Sequence, residues 1–153
     1  MGALQDGSLL AACVASGLTA GLCFTFAAFV MRALDRLGEP AAIRAMQAIN
    51  AAILRSIAMP VWIAPLPLGG LATLLAEERW LPAASTLLYA LGALLITRGG
   101  NIPLNEGLDG VDPEATDAAE AWRRYRIDWG RWNLLRTLMI SLATAGFAWA
   151  LRG

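Results

Sequence analysis

The sequence predicts an all-α fold: a four-helix transmembrane bundle with a kinked second helix and a long fourth helix extending into the cytoplasm. Composition is the first reason. Hydrophobic residues make up 58 % of the chain, mean hydropathy is +0.55 and charged residues are 16 %, against roughly 25 % in soluble domains. Uncharged runs are the second. Residues 7–31, 56–76 and 80–97 hold no charge over 25, 21 and 18 positions, and a spanning helix needs ~20. The third is a helical pattern that runs from a charged stretch into the uncharged residues 137–151. One domain covers 1–153, with spans expected at about 8–31, 43–76, 80–97 and 132–151.

The first span carries Gly17 and Gly21 in a GxxxG spacing, a flat face for packing inside the bundle. Cys13 and Cys23 lie on the same helix, ~15 Å apart by rise. That separation is too great for a disulfide, so both read as small packing residues. Residues 32–40 form a polar loop, and Glu39-Pro40 suits a helix start. The second helix then meets Pro60, Pro65 and Pro67. Each proline removes a backbone donor and crowds the preceding turn, which predicts a kink or break.

Glu77, Glu78 and Arg79 make a turn, Trp80 opens the third span, and Arg98-Gly99-Gly100 is expected to close it. Residues 101–111 read as loop. Asp112-Pro113-Glu114 carries N-cap, first-turn proline and acid, so the last helix is expected from Pro113 to Leu151 with Gly130 as a bend. Such a helix would be ~58 Å long, about twice the hydrocarbon thickness. Its first half must leave the membrane.

Four spans put both termini on one side. The first and third loops hold seven arginines (32, 36, 98, 123, 124, 126, 131) and the other side two (79, 152). The positive-inside rule places the arginine-rich loops in the cytoplasm and both termini outside, in a bacterial inner (plasma) membrane. Formal charge is zero, which gives no footprint for nucleic acid. There is no histidine, which removes the commonest metal ligand, general base and haem ligand. No metal site or cofactor is expected. The partners expected are the lipid bilayer and a lipophilic small molecule, with homo-oligomerisation left open.

Polar residues gather at one end of this arrangement. Gln47, Asn50 and Arg55 sit at the cytoplasmic start of the second span, Asn101 and Asn105 just past the third, Asn133 and Arg136 at the start of the fourth. On a helix at ~100° per residue, Trp122, Trp129, Asn133 and Arg136 fall within about 40° of one line, with Tyr125 at its edge. Buried amides and guanidinium groups need partners. A cluster capped by tryptophans answers that need and makes a ligand pocket. Membrane anchoring by Trp and Arg competes with this reading, and Trp62, Trp80 and Trp149 are read as anchor or packing residues.

Asn101-Ile102-Pro103-Leu104-Asn105, followed by Trp122, Trp129 and Trp132-Asn133-Leu134-Leu135-Arg136-Thr137, resembles the pattern of the DUF1772 family, the anthrone oxygenase-like integral membrane proteins. Met46-Gln47-Ala48-Ile49-Asn50 resembles that family's amide-bearing second helix. The resemblance covers essentially the whole chain. It implies a small four-helix membrane protein. Some fungal members are assigned as anthrone oxygenases, which oxidise an anthrone to an anthraquinone with O₂; no cofactor is firmly implied. Many relatives carry His between the Asn and Arg of the last motif, where Leu134 stands here.

Two functions follow as expectations. One is a cofactor-independent oxygenase (an oxidoreductase, monooxygenase type) of a lipophilic aromatic substrate. In it Arg136 stabilises an enolate and developing peroxide, Asn105 and Asn133 bond substrate oxygens, and Trp122, Trp129, Tyr125, Asn101, Asn50, Gln47 and Arg55 bind substrate. No good general base is present: Asp128 lies about 80° from the stripe, and Tyr125 would need a depressed pKa. The alternative is a non-enzymatic membrane protein binding a lipophilic molecule or partner subunit. A channel lacks the acidic run an ion path would need.

Overall fold

The uncharged runs become helices in the computed structural model, which describes residues 2–152. Five helices follow one another: α1 (Ala3–Asp35), α2 (Glu39–Ile53), α3 (Ala58–Leu75), α4 (Trp80–Asp109) and α5 (Ala118–Ala150). Among the described residues there is no strand. Three of the five, α1, α3 and α4, are long and apolar enough to cross a membrane. The apolar half of α5 is shorter, because charge persists on it to Arg136.

Side-chain clusters fix the topology. At one end Leu9 and Ala12 of α1 meet Ala72 of α3 and Phe147 of α5. In the middle Ala20 and Cys23 meet Tyr89, Ala93, Ile140 and Ala143, with Trp62 and Leu66 against them. At the other end Leu34 meets Ala42, Ile43, Met46, Leu108, Trp122, Tyr125 and Trp129. Thus α1, α3, α4 and α5 run up, down, up and down, and α2 crosses the far end.

Several boundaries differ from expectation. Of the kink or break expected in the second helix, the structure has a break: α2 ends at Ile53 and α3 starts at Ala58. Pro60 cannot donate to the Ser56 carbonyl one turn back. Ser56 instead turns its Oγ to the Ala58 N–H at 3.2 Å and starts a new helix. A further joint at Ala64 precedes Pro65.

α4 does not stop at Arg98-Gly99-Gly100. It passes through them as a π-helical stretch, Leu91–Asn101, and continues to Asp109, so the expected loop from 101 is helical. Gly100 serves close approach, since a Cβ there would overlap the Trp132 indole. Gly92 likewise admits α5: its Cβ would lie 3.0 Å from Met139 Cβ.

α5 starts at Ala118, not Pro113, because Asp112 turns its Oδ1 to the Glu114 N–H at 3.0 Å in a local turn. It runs unbroken through Gly130. α1 holds a π-helical turn, Phe26–Val30. In its GxxxG, Gly17 packs on Thr144 but Gly21 has nothing near it. Both cysteines are free.

Packing rather than water exclusion holds apolar helices together in lipid, so an added methyl where α5 crosses α4 closely should be costly. Gly100→Ala should lower stability by about 1–3 kcal/mol, read as a fall in the thermal unfolding midpoint in detergent. Gly21→Ala, which meets open space, is the control and should hold or raise the midpoint, since alanine favours a helix over glycine.

Candidate functional site

The buried face of α5 is a spaced series: Ala118, Trp122, Tyr125, Trp129, Asn133, Arg136, Thr137, Ile140, Ala143 and Phe147. Three- and four-residue steps keep one stripe inward. The polar members of that stripe meet the two π-helical segments.

Asn133 is fully buried and donates its Nδ2 to the Cys23 carbonyl at 3.0 Å. That carbonyl stands where α1 passes into its π-helical turn, a place where the backbone ladder changes register. The Asn133 Oδ1 accepts from Arg136 Nε at 3.1 Å. Arg136 Nη1 reaches Thr97 Oγ1 at 3.4 Å, inside the π-helical stretch of α4.

The Arg136 guanidinium lies between two indoles, 5.3 Å from the Trp62 ring and 5.2 Å from Trp129. It is 8 % exposed, and none of the ion pairs among the described residues includes it. A cation–π contact returns about 0.5–2 kcal/mol, whereas burying an ion costs several kcal/mol. Two indoles and two neutral hydrogen bonds leave the positive charge short of compensation.

Trp129 is held by its neighbours. Phe26 packs at 5.4 Å and Tyr125 stacks at 6.1 Å. The Trp129 carbonyl accepts Asn101 Nδ2 at 3.2 Å. The Tyr125 hydroxyl donates to Asn105 Oδ1 at 3.0 Å, and Asn50 faces the same hydroxyl. Burial drives the Tyr125 phenol well above the usual tyrosine range; Asn50 and the Arg136 charge oppose that shift only in part. Tyr125 is therefore a neutral proton donor and no base. Asp128 is exposed and paired with Arg131.

The structure thus brings together Asn50, Asn101, Asn105, Tyr125, Trp129, Asn133 and Arg136 from three helices. The others stand apart. Trp122 is buried further along, stacked on Tyr125 at 5.7 Å, with its Nε1 on Asp35 Oδ1 at 3.0 Å. Gln47 clamps the end of α4 through the carbonyls of Leu108 and Val111 at 2.9 and 3.0 Å. Arg55 is exposed in the break between α2 and α3. Trp122 and Trp129, 2 % and 3 % exposed, are not interfacial anchors; Trp80 and Trp149, at 68 % and 65 %, point outward.

Trp62 and Thr97 belong to the cluster and carry no motif that would have singled them out. Trp62 is fastened by Nε1 to the Ala93 carbonyl at 3.0 Å, while its own carbonyl accepts the Tyr89 hydroxyl at 2.6 Å.

A family model described as anthrone oxygenase matches residues 46–146. The chain belongs to the anthrone oxygenase family. The match takes in the broken α2–α3 segment, the π-helical part of α4 and most of α5, hence every cluster residue except those of α1. No curated protein and no solved structure shows significant similarity. In this anthrone oxygenase family member Leu134 is 52 % exposed and faces away from Asn133 and Arg136. The departure at that position leaves the buried cluster intact. Among the described residues no group of His, Cys, Asp and Glu is arranged to hold a metal ion.

Two outcomes are expected. Asn133→Ala orphans the Arg136 Nε, while the Cys23 carbonyl keeps the Phe26 N–H, and should cost about 1–3 kcal/mol, the range for one unsatisfied buried group; chemical unfolding in mild detergent reads it. Tyr125 binds its proton more tightly folded than unfolded. Its contribution is therefore complete below the ordinary tyrosine pKa and is lost as pH rises from there through the higher folded value. Stability should fall above about pH 10, less steeply in Tyr125→Phe, with the loss followed by phenolate absorbance.

Proposed function

We propose that this chain is a membrane-embedded oxygenase of a flat, lipophilic aromatic substrate of the anthrone class, working at Arg136. The observation that carries the proposal is the buried guanidinium with no carboxylate partner. A cation left short of compensation in a dry site favours an anionic ligand and lowers the pKa of an acidic one. Membership of the anthrone oxygenase family supports the substrate class.

An anthrone supplies such an anion by losing a proton from its ring methylene to give an enolate. The enolate oxygen pairs with Arg136, with Asn133 holding the guanidinium in place. The electron-rich carbon passes an electron to O₂, and the resulting pair collapses to a carbon–oxygen bond. Protonation gives a hydroperoxide. Loss of water from it leaves the new carbonyl, so anthrone plus O₂ becomes anthraquinone plus water. One oxygen atom enters the product and the other leaves as water. No base stands beside Arg136, so the substrate enters as the enolate, its methylene proton left to bulk solvent, and the cation favours that anionic form. Nothing in this sequence of steps calls for a cofactor. Trp62 and Trp129 offer ring faces to the aromatic system.

The membrane arrangement belongs to the same proposal. The second half of α5, from about Trp132, supplies a fourth span, which sets Arg136 about one turn inside the bilayer edge. The arginine-rich end faces the cytoplasm of a bacterial inner membrane and both termini lie outside.

A second reading, a non-catalytic binder of a lipophilic molecule, is favoured by the closed packing of the cluster, where Asn133, Thr97 and two indoles already surround the guanidinium. Oxygen uptake by the purified protein with an anthrone separates the two. For the oxygenase, Arg136→Gln should cut the rate at least 100-fold, about 2.7 kcal/mol of transition-state stabilisation, while Arg136→Lys retains part of it. Uptake at the buffer rate by the wild-type protein, with anthrone still bound, would leave the binder.

A further inference from the structure

Three polar atoms around Tyr125 and Trp129 lack a well-formed hydrogen bond although their side chains are more than nine-tenths buried. They are Asn50 Nδ2, Trp129 Nε1 and Asn101 Oδ1, on residues 8 %, 3 % and 1 % exposed. They come from α2, α5 and α4, elements far apart in the chain. Folded proteins rarely leave such groups empty. Their neighbours tie them together. Asn101 holds the Trp129 backbone, Trp129 stacks on Tyr125, and Asn50 faces the Tyr125 hydroxyl. The Trp129 ring also lies against the guanidinium, which joins the Trp129 side of the set to the charged site.

The chemistry of the set is specific. Two of the atoms donate and one accepts. A carbonyl, ether or quinone oxygen only accepts, and would leave Asn101 Oδ1 empty. An ammonium group only donates, and would leave both N–H groups empty. A hydroxyl does both.

Resting on the reading of Arg136 as an oxyanion site, we infer that Asn50, Asn101 and Trp129 form a second subsite, which takes a hydroxyl group on the ring system of the bound aromatic molecule. Recognition then has two points, an oxyanion at Arg136 and a neutral hydroxyl beside Tyr125. A site built to bond a hydroxyl rejects the analogue lacking it, because its own buried groups stay unpaired.

The test uses the full chain in detergent, without O₂ so that nothing turns over. Binding of anthrone and of its positional monohydroxy isomers is followed by quenching of tryptophan fluorescence. One isomer should bind at least about tenfold more tightly than anthrone. The advantage should disappear in Asn101→Leu and in Asn50→Ala, while affinity for anthrone itself changes less. Asn50→Ala leaves the Asn101 bond to the Trp129 backbone in place, so it carries the comparison if Asn101→Leu does not fold. Equal binding of all isomers, as resident water filling the three atoms would give, overturns the subsite and leaves the Arg136 reading standing. An advantage that survives both substitutions overturns it too. Failure of anthrone and every isomer to bind removes both.

Discussion

A positive charge held out of water without a negative one beside it governs this molecule. Arg136 is enclosed by α3, α4 and α5, and each contributes something neutral to it. Asn133 fixes its Nε, Thr97 meets its Nη1, and Trp62 and Trp129 cover its faces. None of these cancels the charge. Desolvation of a guanidinium is the largest single cost in such a site, so the surrounding helices have to be arranged to keep it in place.

That arrangement explains the irregular helices. A regular α-helix in an apolar setting uses all its backbone carbonyls internally. The π-helical turn of α1 begins next to the Cys23 carbonyl that Asn133 uses, and the π-helical stretch of α4 carries both Thr97 and Asn101. Local widening of the helices lets side chains of a third helix bond at their surface. The cost is a less favourable backbone geometry, tolerated where neighbouring side chains compensate. The glycines at 92 and 100 serve the same end, since they bring α5 close enough for its amide and guanidinium to reach α4.

The polar site lies between the middle and one end of an apolar bundle. The same end holds most of the exposed arginines on the first half of α5, where Arg123 and Arg124 share Glu120, and Arg126 shares Asp35 with Trp122. The opposite end holds a cleft of about 460 Å³ lined by Glu77, Glu78, Trp80 and Trp149 among others, without a buried charge.

From its sequence alone the chain announced helices, a membrane-compatible composition and one inward stripe on its last helix, because these rest on local periodicity and on runs of uncharged residues. Trp129, Asn133 and Arg136 were legible for that reason. The ends of helices were harder to read. Gly99-Gly100 looked like a terminus and Pro113 like a start, since those residue types serve both turns and close packing, and only the neighbouring helix decides which. Trp62 remained one indole among six in the sequence until the break before α3 turned it onto Arg136. Which buried atoms lack partners is likewise a property of packing: Asn50, Asn101 and Trp129 are far apart along the chain, and their shared surroundings exist only once three helices are folded against one another.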